Sequence, residues 1–168
     1  MERLRGFEIA KGFENSGINI PVRKTKYSAG YDVEAAEDCI IPVFKLGQKP
    51  TLIKTGLKAY MQNDEYLMLC NRSSNPFKKG LVLANSVGIV DADYYGNPDN
   101  DGAFMFAFYN VFDKDIEIKK GDAIGYGNSF VAPKEMKIAT ISSIINVSHP
   151  KMNNLLVNDS LLRITLPI

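Results

Sequence analysis

Short β-prone runs, each stopped by glycine, proline, asparagine or aspartate, recur along most of this chain and constrain its fold more than any other feature. Gly6-Phe7-Glu8-Ile9, a strand entered from Gly30-Tyr31-Asp32, and the apolar run Cys39-Ile40-Ile41 before Pro42 come first. Thr51 to Tyr60 alternates well enough for one strand, and Tyr66-Leu67-Met68-Leu69-Cys70 reads as a buried one. Leu81-Val82-Leu83, the aromatic run Phe104 to Val111, Ile116-Glu117-Ile118 and the glycine-dotted Ala123 to Phe130 complete the pattern. No long amphipathic helix, internal repeat or low-complexity tract interrupts it; only residues 74–80, ending in Lys78-Lys79-Gly80, suggest a short helix. Many short strands with turn residues between them predict an all-β barrel or sandwich. At 168 residues and 18.7 kDa, a single domain with a substantial core is expected.

Composition narrows the function classes. A formal net charge of +1 argues against bulk attraction to nucleic acid or to an anionic membrane, so neither is expected as a partner. Cys39 and Cys70 make no disulfide framework and no zinc-ligand spacing, which leaves buried apolar packing as their expected role. The N-terminal residues carry no apolar signal region and no run reaches the length of a membrane span, so a cytoplasmic protein is expected. The aromatics of 104–111 are read as core or subunit interface rather than as platforms for bases.

Chemistry-bearing residues gather in residues 84–97. Val87, Ile89 and Val90 favour a pleated backbone, Gly88 removes a side chain at one point, and Asp91 directly follows two β-branched residues, where a solvated charge is unusual. Asp93-Tyr94-Tyr95-Gly96-Asn97-Pro98 then reads as a turn. Together they suit one wall of a small-molecule pocket; the plainer alternative is a hairpin with an exposed acid and two surface tyrosines. Upstream, Arg72-Ser73-Ser74 breaks a buried strand with a guanidinium fork and two hydroxyls, which suits a phosphate or equally a helix cap beside a surface arginine. Asp32 is either a pocket acid or an edge residue.

These stretches, taken in order, resemble the trimeric dUTPases, the deoxyuridine triphosphate nucleotidohydrolases, in their Gram-positive bacterial and phage branch. Ala29-Gly30-Tyr31-Asp32 resembles the family's first motif, Arg72-Ser73-Ser74 the second, and Asn85-x-x-Gly88-x-x-Asp91-x-x-Tyr94-x-Gly96 the third, which is the most specific. Lys120-Gly121-Asp122-Ala123-Ile124 resembles the start of the fourth, and the likeness runs over roughly residues 3–130. The resemblance implies a distorted jelly-roll or β-barrel of the β-clip type and hydrolysis of dUTP to dUMP and pyrophosphate. Asp91 would be the general base for water attacking the α-phosphorus, with Arg72 and Ser73 on the phosphates and Ser74 beside them. Asn85, the backbone around Gly88 and Val90, and Tyr94 would bind uracil and deoxyribose, the ring leaving no room for a 2′-hydroxyl. Mg²⁺ would be the cofactor, with Asp32 holding it through bound water. A homotrimer with active sites shared between subunits is likewise implied.

The likeness then fails. Where the fourth motif continues with arginine, an apolar residue, alanine and glutamine, this chain has Ala123, Ile124, Gly125 and Tyr126. The glycine-rich closing arm that would stack a phenylalanine on uracil has no counterpart, since no glycine follows Gly127 and no phenylalanine follows Phe130. Residues 1–130 are therefore read as the β domain and 131–168 as an atypical C-terminal segment, produced by divergence or by a shifted reading frame near residue 125. Losing closure predicts reduced turnover with substrate binding partly retained. A catalytically impaired deoxyuridine-nucleotide-binding or regulatory protein on the same scaffold is the alternative. A dCTP deaminase on the related fold would want a glutamate base, and Asp91 argues against it.

Overall fold

The computed structural model describes residues 4–131. Its strands are β1 (Gly6–Ile9), β2 (Tyr31–Glu34), β3 (Cys39–Ile41), β4 (Thr51–Lys54), β5 (Leu57–Tyr60) and β6 (Glu65–Asn71), followed by the helix α1 (Ser74–Lys79). After the helix come β7 (Leu81–Leu83), β8 (Gly88–Asp91), a 3-10 turn at Ala92–Tyr94, β9 (Met105–Asn110), β10 (Ile116–Ile118) and β11 (Ala123–Val131). The expected all-β architecture with one short helix near 74–80 is present. The C-terminal segment separated off at 131 lies, beyond its first residue, outside the described residues. No described helix is long and apolar enough to cross a membrane.

The strands form a four-stranded sheet in the order β2-β11-β6-β8, a three-stranded sheet β4-β9-β7, and the pairs β1-β5 and β3-β10. Named strands pair antiparallel throughout. The period of two explains which side chains go inward. In β6, Leu67 and Leu69 enter the core while Tyr66, Met68 and Cys70 stay half-buried on the outer face. In β9, Phe106 and Phe108 stack at 6.0 Å and are fully buried, so the aromatic strand is core. Val33, Leu67, Leu69, Val90 and Ile124 from the larger sheet meet Ile53, Leu81, Leu83, Phe106 and Phe108 from the other in one cluster. Cys39 and Cys70 are free thiols, half-buried rather than fully enclosed, and burial raises the Cys39 thiol above its ordinary range.

Two expectations change. Thr51 to Tyr60 is not one strand: it breaks at Thr55-Gly56 into β4 and β5, which join different sheets. Gly56 takes φ +66°, and a Cβ there would stand 2.9 Å from the Phe13 ring. Buried Thr55 locks the corner by donating its hydroxyl to the Phe104 carbonyl at 2.6 Å and accepting from the Leu57 N–H at 3.2 Å. Likewise, Leu81–Asp91 is not a simple hairpin. β7 pairs with β9 and β8 with β6, so the strands on either side of the 84–87 turn belong to different sheets.

Gly125 lies at an irregularity in β11, where the register with β2 shifts between Ala123 and Gly125. A Cβ there would come within 2.1 Å of the Phe106 ring, which fills the space an alanine would need. Gly125→Ala therefore overpacks the core and is expected to cost about 1–3 kcal/mol, read as a lowered urea midpoint. A midpoint equal to that of the unaltered chain would refute the close packing.

Three acids set the response to pH. Glu65 accepts a short hydrogen bond from Arg5 and is held below the usual carboxylate range. Asp38 is lowered by the Lys120 N–H and by Lys119, and Asp101 by Lys58 and by the Lys11 N–H. In the unfolded chain these groups take up protons from about pH 4 downwards, before the folded chain does. Their stabilisation is therefore present above that range and is lost as pH falls through and below it. Thermal midpoints measured at constant ionic strength should decline between about pH 5 and about pH 3; a flat profile would contradict the pairing.

Candidate functional site

The first cluster forms where β2, β11 and the end of β6 meet. Asp32 in β2 lies opposite Tyr126 of β11, and Tyr126 lies opposite Cys70 of β6. Arg72, just past β6, places Nε 3.4 Å from one Asp32 oxygen and donates from Nη1 to the Ala123 carbonyl at 3.1 Å. Lys24 Nζ lies 2.8 Å from the other Asp32 oxygen. Two cations thus surround one largely covered carboxylate, leaving a local excess of positive charge.

Ser73 stands at the N-cap of α1 but makes no side-chain cap bond, so the helix-cap reading of its hydroxyl does not hold. It is exposed, and Ser74 is half-buried beside it. The turn is held by a residue that sequence reasoning passed over. Asn75, 3% exposed, donates to the Asn71 side chain at 2.8 Å and to the Ile124 carbonyl at 2.8 Å. Asn71 in turn donates to the Leu81 carbonyl at 2.8 Å. These two amides tie the Arg72-Ser73-Ser74 turn to β11 and β7. Their only sequence signal is an asparagine on each side of that triplet.

Tyr126 has a further contact. Its phenolic oxygen accepts the Gly30 N–H at 2.7 Å, and a Cβ on Gly30 would come 2.8 Å from the Tyr126 ring and 2.3 Å from the Gly127 carbonyl. Tyr126 therefore pins the loop leading into Asp32.

The second cluster is built on β8. Residues 84–87 form a tight turn in which Ser86 takes φ +59° and the Ser86 N–H donates to the Leu83 carbonyl at 3.2 Å. β7 and β8 are each the edge strand of their own sheet. The arms of the turn therefore keep main-chain N–H and C=O groups that no neighbouring strand takes. Gly88 lies opposite Leu69; a Cβ on it would stand 3.2 Å from Leu69 Cβ and 3.5 Å from the Asn85 amide nitrogen. Val90 is buried in the core, so only its main chain can face a ligand. Asp91 is exposed rather than sheltered, which corrects the expectation drawn from its β-branched neighbours. Tyr94 is half-buried against the core, and its hydroxyl accepts the Asn100 amide at 2.7 Å.

Within one chain Asp91 stands apart from Arg72, although Gly88, opposite Leu69, lies nearer the Arg72 end of β6. Asp91 lies across from Tyr66 at the start of β6, whereas Arg72 follows its last residue. Arg72 comes six residues after Tyr66, or about 20 Å along an extended strand. A cavity of about 650 Å³ beside the 96–105 loop, lined among others by Lys11, Thr55, Asn100 and Phe104, contains none of the predicted site residues. Among the described residues no group of three or more His, Cys, Asp or Glu could hold a metal ion. Both Asp32 oxygens already face a cation, so a hydrated divalent ion there would have to share the carboxylate with Lys24 or Arg72.

Removing the Tyr126 hydroxyl leaves the Gly30 N–H buried without that acceptor. Tyr126→Phe is expected to lower stability by about 1–3 kcal/mol in urea unfolding. No change would show that the bond does not hold the loop.

A family model described as dUTPase matches residues 16–125. The deoxyuridine 5′-triphosphate nucleotidohydrolase of Lactococcus lactis is 50% identical over 125 residues, covering 74% of this chain and 81% of that protein. The corresponding protein of Psychrobacter cryohalolentis is 40% identical over 129 residues, covering 76% and 79%. The crystal structure of the dUTPase from Streptococcus mutans superposes with a TM-score of 0.71 at 39% identity, covering 77% of this chain and 98% of that one. At 19% identity, an aspartate-to-asparagine mutant of the dUTPase of phage phi11 of Staphylococcus aureus, which coordinates a structural Mg(II) ion, shares the fold with a TM-score of 0.63 over 79% and 94% of the two chains. With the family match spanning most of the described residues, and half of the aligned residues identical in the Lactococcus lactis protein, the chain belongs to the dUTPase family.

Proposed function

We propose that the chain hydrolyses dUTP to dUMP and pyrophosphate, by attack of water at the α-phosphorus, in sites shared between copies of a homotrimer. The observation that carries the reading is the turn at 84–87. It opens between two edge strands and exposes main-chain donors and acceptors, and the strand that leaves it, β8, ends at a carboxylate with a ring three residues on. Uracil offers two carbonyl acceptors and one N–H donor on its pairing edge. The free edge groups of β8 answer that pattern as an added strand would. Asn85 adds an amide that both gives and accepts, and Gly88 keeps the approach open. Tyr94 packs on the deoxyribose.

Asp91, exposed at the end of β8, orients the attacking water and takes its proton. Arg72, Ser73 and Ser74 hold the phosphates, whose negative charge the Arg72–Asp32–Lys24 cluster leaves room for. About 20 Å of β6 lies between Asp91 and Arg72, farther apart than adjacent phosphates of one nucleotide. One copy therefore supplies the base-reading turn and Asp91, and a neighbouring copy supplies Arg72, Ser73 and Asp32. Asp32, with a water between, would hold Mg²⁺, which when bound neutralises the phosphate oxygens and spreads the developing charge.

Turnover is reduced relative to an enzyme with a closing arm. The Tyr126 hydroxyl is already committed to Gly30, so no amide reaches the phosphates from that position. That same contact favours a second reading, a deoxyuridine-nucleotide-binding protein with little or no hydrolysis.

Pyrophosphate release at saturating dUTP and Mg²⁺ separates the two. Asp91→Asn should lower kcat by about 10²–10⁴-fold while dUMP still binds. An undiminished rate would remove Asp91 from the chemistry. Mixing Asp91→Asn with Arg72→Ala copies should restore part of the activity that each lacks alone, because some mixed sites keep both groups. Failure of any mixture to exceed its components would refute sharing.

A further inference from the structure

Asn100 lies outside every motif that the sequence singles out, in the loop after Tyr94, yet its amide is fully engaged. Nδ2 donates to the Tyr94 hydroxyl at 2.7 Å and to the Ala103 carbonyl at 3.2 Å, and Oδ1 accepts the Gly102 N–H at 3.0 Å. The Gly102 bond fixes which end of the amide points at the ring. We propose that Asn100 is a positioning residue for sugar selection: it holds the Tyr94 ring at the one height that admits a 2′-deoxyribose and rejects a ribose. This rests on the dUTP reading above, in which Tyr94 packs on the sugar.

Tyr94 is gripped at two points. Its main-chain carbonyl accepts the Asn97 N–H at 3.1 Å, and its phenol is held by Asn100. Between those points the loop is wound tightly. The Asp101 N–H donates to the Asn97 carbonyl at 2.7 Å, Asp101 takes φ +59°, and Gly102 takes φ +79°. A Cβ on Gly102 would come 2.5 Å from the Tyr94 carbonyl, so the loop backbone lies directly against the residue it holds.

The loop is itself moored elsewhere, so its position does not depend on the ring. Asp101 accepts from Lys58 Nζ at 2.7 Å and from the Lys11 N–H at 2.8 Å. Lys58 also lies 4.9 Å from the centre of the Tyr95 ring, and Tyr95 donates its hydroxyl to Glu8 at 2.6 Å. These contacts fasten residues 95–101 to β1 and β5. Asn100 transmits that fixed position to the para end of Tyr94, where a small pivot about the side-chain bonds moves the ring most. Ribose and deoxyribose differ by one oxygen atom, so the height of the ring decides whether that atom fits.

Calorimetric titration of dUMP, UMP and dCMP into the full chain tests this without requiring turnover. The unaltered chain should prefer dUMP over both others. In Asn100→Ala the preference for dUMP over UMP should fall about fivefold, the size of one net hydrogen bond. The preference over dCMP should stay within about twofold, because Asn85 and the edge of β8 read the base. Tyr94→Phe deletes the same bond from the other side and should give the same change, and it carries the test if Asn100→Ala does not fold. Combining the two substitutions should add nothing further, as for any pair acting through one contact. An unchanged sugar preference in both single variants, or an equal loss for all three nucleotides, overturns the role of Asn100 and leaves the dUTP reading standing. No binding of dUMP by the unaltered chain overturns both.

Discussion

Antiparallel pairing along β6 is the interaction from which the rest of this structure follows. It is flanked on one side by β11 and on the other by β8, and its alternation sends Leu67 and Leu69 into the core. Because both neighbours are held in register, the strand also fixes where chemistry can stand. Asp91 is tied to its first residues through β8, and Arg72 emerges at its far end. A slip of one residue in the β6–β8 pairing would turn Val90 outward and Asp91 into the core, which burial of a lone carboxylate forbids.

Buried and half-buried amides complete what strand pairing leaves undone at the corners. Asn110, fully buried, donates to the carbonyls of Ile41 and Lys114 and accepts from the Phe112 N–H, joining β9 to β3 and to the turn before β10. Asn75 does the same for the Arg72 turn, and Thr55 for the break between β4 and β5. In each case a short polar side chain meets main-chain groups that would otherwise be buried unpaired, at a cost of about 1–3 kcal/mol each. No buried side-chain nitrogen or oxygen among the described residues lacks a partner. The Arg72 turn is therefore tied to its neighbouring strands, although its own sequence is polar.

Much of the architecture could be read before any coordinates. The runs at 6–9, 39–41, 81–83, 105–110 and 116–118 are strands because β-branched and aromatic residues lie between strong turn residues. The short helix at 74–79 follows from its Ser-Asn-Pro start and Gly80 end, where Gly80 takes φ +60°. The break at Thr55-Gly56 was not legible, because alternation continues across it and only the packing of Phe13 and Ile18 over Gly56 shows the turn. Nor was the splaying of β7 from β8, which depends on each strand finding a distant partner. Within the candidate site, the family resemblance singled out Asp32, Arg72, Asn85, Gly88, Asp91 and Tyr94. It passed over Asn75 and Asn100, whose roles lie in which carbonyl or hydroxyl happens to stand 3 Å away.

Residue order alone thus determined the kind of protein this is: an all-β chain with a glycine, an acid and a ring at the spacing the dUTPase family shares. Hydrophobic period and turn chemistry are local properties, and they survive in a string of letters. Tertiary structure alone decided that the Asp32–Arg72 cluster and Asp91 stand at opposite ends of one strand, and that the separate turn at 84–87 opens between two sheets. Those facts come from pairing between segments far apart in sequence. Such pairing is settled by which hydrogen-bonding edges and apolar faces meet, and no single stretch of the chain records it.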